Sequence, residues 1–139
     1  MCLVNDNYET KTGKIAWKLV KEEDDGNFVS PCKRTTVLYG KNSLSSSMCL
    51  PASKKYTVYA AFHLCRTRKL ARIMKRSWAR TIPEFKFVLL KCEIDPQDVI
   101  CVGFERDIDA MEYGFPQNTT QGKYTTIATY SYTVVKKVR

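Results

Sequence analysis

The stretch HLCRTRKLARIMKRSWARTIPEFKFVLLKCEI, residues 63–94, changes period in its middle, and that change sets the fold class. From Thr67 to Arg80 the spacing is helical. At about 100° per residue, Leu70, Ile73, Met74, Ser77 and Trp78 share one arc. Arg68, Lys69, Arg72, Lys75 and Arg76 take the opposite arc, with Arg80 at its edge. Thr67 suits an N-cap, and Pro83 stops the helix soon after Arg80. Glu84 to Ile94 is rich in Phe, Val and Leu, as strands are. A helix docked on a sheet by its apolar arc, with its cations turned outward, is the expected unit.

On the N-terminal side, YTVYAAFHLC (56–65) has apolar residues on both parities and reads as a buried strand. KNSLSSSMCLPASKK (41–55) reads as a Ser-rich loop or a segment ordered by something else, and TTVLYG (35–40) as a short β-rich run. Further back, Lys14–Lys21 alternates like a strand, EEDDGN (22–27) turns, and Phe28–Ser30 returns to complete a hairpin. On the C-terminal side, DPQD (95–98) predicts a turn and VICVGF (99–104) a strand. Glu105–Lys123 then forms a long acidic connection, Tyr124–Val135 one long final strand, and KKVR (136–139) a basic tail. The pattern predicts an α+β fold: one compact domain over residues 1–139, a mostly antiparallel sheet and one main amphipathic basic helix.

Composition agrees with this class. In 139 residues, 44% are hydrophobic and 12% aromatic, enough for a core without disulfides or metal. No apolar run reaches the roughly 18 residues of a membrane span, and MCLVNDNYETKTGK lacks the regions of a signal peptide. A cytoplasmic setting without a membrane partner is the expectation. The six cysteines (Cys2, Cys32, Cys49, Cys65, Cys92 and Cys101) contain no C-x-x-C pair, so buried, reduced thiols are expected in place of a zinc site.

The charge is concentrated. The net charge is +9, and Arg66, Arg68, Lys69, Arg72, Lys75, Arg76 and Arg80 supply seven positive charges with no acid between them. Arg68–Arg72, Arg72–Arg76 and Arg76–Arg80 are like-charged i,i+4 neighbours, each costing a few tenths of a kcal/mol. A purely structural helix gains nothing from that arrangement. The ligand-binding candidates are therefore Arg68, Lys69, Arg72, Lys75, Arg76 and Arg80, facing nucleic acid or a phosphorylated small molecule. Three competing expectations are that the charged face is simply solvated, that the acids of Glu22–Asp25, Glu105, Asp107, Asp109 and Glu112 fold back to neutralise the helix, and that it binds an acidic host protein.

His63 and Cys65 stand at i and i+2 on a strand and so share a face, a possible nucleophile pair or, with Cys92 and Cys101, half a metal site. Neither spacing is specific, and no metal or cofactor is expected. The enzymatic alternative rests on Cys2 with His63. Removal of Met1 exposes a thiol beside a free α-amino group, the arrangement of N-terminal nucleophile hydrolases or transferases, and His63 adds an acid–base group.

Three motifs, MCL at the start, AFH before the helix and the VLLKCEI strand, resemble a group of short uncharacterised bacteriophage and gut-bacterial proteins. These begin Met-Cys-Leu and carry Gly-Phe-His where this chain has Ala61-Phe62-His63. The resemblance covers about a third of the chain and implies a viral or mobile-element setting inside a host cell, with no activity attached. The sequence as a whole points to a binding protein more than to an enzyme.

Overall fold

The computed structural model describes residues 3–4, 12–31, 35–44, 51–52, 57–58, 61–105 and 126–138. Twelve strands among them form one sheet with every pairing antiparallel, and a single α-helix covers part of one face. In chain order the strands are β1 (Leu3–Val4), β2 (Ile15–Glu22), β3 (Phe28–Val29), β4 (Thr36–Val37), β5 (Gly40–Ser43) and β6 (Pro51–Ala52). They continue with β7 (Thr57–Val58), β8 (Phe62–Cys65), β9 (Phe87–Glu93), β10 (Val99–Glu105), β11 (Thr126–Thr129) and β12 (Ser131–Val138); α1 spans Arg68–Thr81. The spatial order is β5-β12-β9-β2-β8-β11-β10-β1-β7-β6, with β3 joining β2 to β4. The α+β class stands.

Alternation along β2 and β9 splits the interior in two. Ala16, Val20, Val88, Leu90 and Cys92 point to one side, where Leu64, Val102, Ile127, Tyr132 and Val134 join them. This side closes on itself. Phe62 of β8 and Tyr132 of β12 meet edge to face with centroids 4.9 Å apart. Three ladder steps on a flat sheet would hold their backbones about 14 Å apart, so the sheet curls around this core. Leu19, Phe87 and Leu89 point to the other side and pack with Cys65 and Ala71 beneath α1, flanked by Trp17, Met74 and Trp78.

The helix begins where its sequence signals lie. The Thr67 hydroxyl accepts a hydrogen bond from Leu70 N at 3.2 Å, and Ile82 ends the last turn through a bond from its N–H to Trp78 O. The β2–β3 hairpin likewise follows its turn signals: Gly26 adopts φ 85°, and Asp25 accepts from Asn27 N at 2.9 Å.

Four expectations need correction. The Ser-rich segment is not wholly a loop, since Gly40–Ser43 is an edge strand on β12 and Pro51–Ala52 pairs with β7. Asn42 fixes the first of these by bonding both the N–H and the carbonyl of Leu38 at 2.9 Å. The Tyr56–Cys65 strand is two strands, β7 and β8, with different partners. The long final strand is broken at Tyr130, whose N–H donates to Asp98 O at 2.9 Å, and Ser131 Oγ donates to the Asp98 carboxylate. Those bonds send β11 to β8 and β10, and β12 to β9 and β5. The fourth correction is the basic tail, which as far as Val138 is part of β12.

Candidate functional site

On α1, Ala71 and Ser77 are buried against the sheet, and Leu70, Ile73, Met74 and Trp78 are half-buried. Arg68, Lys69, Arg72, Arg76 and Arg80 are exposed. Lys75, expected on the outward arc, is half-buried. Arg66 precedes the helix and is also half-buried.

Three of the acids expected to fold back onto the helix are committed elsewhere. Glu22 lies between Lys86 (3.0 Å) and Lys137 (3.4 Å), and Lys86 foremost, with Lys137 behind it, holds the Glu22 carboxyl below the usual glutamate range. Glu23 pairs with Lys21 at 3.3 Å, and Asp25 is held in its own turn by Asn27. Among the described residues, Lys69, Lys75, Arg76 and Arg80 form no ion pair. Glu22, Glu23 and Asp25 thus do not neutralise the helix, and Asp107, Asp109, Glu112 and the side chain of Glu105 lie outside the described residues.

At the N-terminal end of α1 the cationic surface continues onto the sheet. A groove of about 330 Å³ is lined by Trp17, Arg68, Lys91, Lys136, Lys137 and Val138. Register explains the grouping. Trp17 of β2 stands opposite Lys91 of β9, and Lys91 stands opposite Lys136 of β12, so the three form one row on the α1 side of the sheet. Lys136 reaches this side because the β9–β12 ladder shifts by one residue between Val134 and Lys136, a bulge at Val135. With no shift, Val135 would face Lys91, and Lys136 would take the place opposite Leu90 that Lys137 holds, on the other side of the sheet. Sequence reasoning missed Trp17, Lys91 and Lys136. Alternation marks Lys91 as sharing a face with Phe87 and Leu89, but nothing local reveals the bulge that adds Lys136.

His63 and Cys65 keep the common face expected of them. Both lie on the α1 side of β8, but Cys65 is buried and its thiol donates to Met74 Sδ at 3.1 Å. Cys92 sits on the opposite face of the sheet among the enclosed apolar side chains, where burial pushes its thiol up to about 12. These two thiols cannot share a ligand. No group of three metal-ligating side chains occurs among the described residues. The partner proposed for His63, Cys2, lies outside those residues, as does the side chain of Cys101. No described helix is long and apolar enough to cross a membrane.

A second concavity, about 90 Å³, opens where β2 and β8 part company after their one paired position, Trp17↔Cys65. Lys18, His63, Phe62, Met74, Trp78 and Thr126 line it. Lys18 is 8% exposed, and its ammonium donates to the His63 carbonyl at 2.8 Å, 5.9 Å from the Tyr132 ring centroid. The lysine head supplies the His63 carbonyl with a donor where the parted strands no longer pair.

Comparisons with known protein families, with characterised proteins and with solved structures return no match.

Proposed function

We propose that the chain is a non-catalytic binding protein that uses the outer face of α1 to hold a phosphate-rich ligand, nucleic acid or a nucleotide. One observation carries this reading: Arg68, Lys69, Arg72, Arg76 and Arg80 are exposed together on a helix without an acid, while Glu22, Glu23 and Asp25 are engaged away from it. Like charges at i,i+4 cost the isolated helix stability, and an anion spanning them offsets that cost. The predominance of arginine favours bidentate contacts to phosphate oxygens over loose attraction.

The test is fluorescence anisotropy of a labelled oligonucleotide across a salt series, comparing the parent with Arg72→Ala, Arg76→Ala, Arg80→Ala combined. Affinity should fall at least about tenfold in the variant, and the salt dependence should flatten, since fewer counterions are released on binding. The variant should remain folded, because all three side chains are exposed. Unchanged affinity in the variant removes the reading.

A further inference from the structure

We infer that the groove across β2, β9 and β12 is a subsite for one nucleoside phosphate unit, with the phosphate between Lys91 and Lys136 and an unpaired base against Trp17. The inference rests on the anion-binding reading of α1 and narrows it to ligands with a free base face.

Three features of the groove support this. Lys91 and Lys136 are directly opposed across the β9–β12 ladder, which brings their Cβ atoms to within about 5.5 Å and makes a like-charge pair destabilising. An acid at either position would stabilise the pair instead. Neither lysine forms an ion pair among the described residues, and Arg68 lines the same groove from the helix. Two ammonium groups at that spacing bracket a single tetrahedral anion.

The second feature is the next residue along the row. Trp17 is half-buried, follows Lys91 directly and lines the same groove. A phosphate seat flanked by an indole face matches the spacing of phosphate and base within one nucleotide, and base–aromatic stacking tolerates any base. A duplex presents no such face, because its bases are stacked within the helix. Size is the third feature. At about 330 Å³ the groove lies at the small end of ligand sites, enough for one unit and too small for a double helix. Along a single strand, this seat would anchor one nucleotide while the neighbouring phosphates run over Arg72, Arg76 and Arg80.

The experiment uses the full chain carrying Trp78→Phe, so that Trp17 is the only tryptophan, and follows its fluorescence with thymidine 5′-monophosphate, a short oligothymidylate, and that oligonucleotide annealed to its complement. Saturable quenching by both single-stranded probes is expected, with a steep salt dependence for the oligonucleotide and a shallow one for the mononucleotide. Lys91→Ala with Lys136→Ala should abolish the quenching and weaken oligothymidylate binding about tenfold or more, while the variant stays folded and is no less stable than the parent, since the opposed like charges are gone. Two results overturn the subsite: quenching that survives in the Lys91/Lys136 variant, or duplex binding as tight as single-strand binding. If the Lys91/Lys136 variant binds like the parent while the Arg72/Arg76/Arg80 variant does not, the subsite fails and the helix reading stands. If neither variant loses affinity, both fail.

Discussion

The two faces of the sheet are finished differently. One curls until Phe62 touches Tyr132, and Leu64, Leu90, Val102 and Ile127 inside it are essentially inaccessible. The other, among the described residues, is covered by one helix, and beyond the N-terminal end of that helix β2, β9 and β12 carry Trp17, Lys91 and Lys136 around a groove. The same strands build both faces, since Leu90 and Lys91 are adjacent residues of β9. The enclosed face is therefore where stability resides, and the partly covered face is where charge can be held in reach of a ligand.

That division can be broken by substitution. Leu90→Ala removes a fully buried side chain from the enclosed face and should destabilise by about 2–5 kcal/mol in denaturant unfolding. A loss as small as that of a surface change would mean the curled core is loosely packed. On the helix side, Thr67→Ala removes the cap on Leu70 N and should cost about 1 kcal/mol, with Thr67→Ser restoring most of it. Smallest is Glu22→Gln, which loses the ion pairs to Lys86 and Lys137. The folded-state pKa of Glu22 is lowered, so its contribution is present above the unfolded glutamate value and is lost as pH falls through the folded value. The stability difference between parent and variant should shrink as the solution is acidified. A difference that grows with acid would contradict the assignment.

How much could be read in advance differs by region for physical reasons. The α1 helix, the β2–β3 hairpin and β9 are set by local signals: the Thr67 cap, the Gly26 turn and the apolar run Phe87–Leu90. The break at Tyr130 is not local. Most residues from Tyr124 to Val135 favour extended structure, and it is Asp98, some thirty residues away, that bonds the chain where β11 ends and β12 begins. The cationic candidates on the helix were legible from periodicity alone. Lys91 and Lys136 were not, because their adjacency depends on the register of two strands more than forty residues apart in sequence and on a one-residue bulge in one of them.

Strand order also governs when the chain can fold. The enclosed core draws Ile127, Tyr132 and Val134 from the last described segment, and β12 is sandwiched between β9 and β5. During synthesis, β2, β8, α1 and β9 emerge first but cannot close their inner face until residues 126–138 have left the ribosome. Most of the chain must then wait with apolar surface uncovered, and the pairings that end the wait span long stretches of sequence, the kind that form slowly. Production of this protein should accordingly be limited by the lifetime of the waiting nascent chain, and should respond to chaperone supply and growth temperature before it responds to changes on the cationic face.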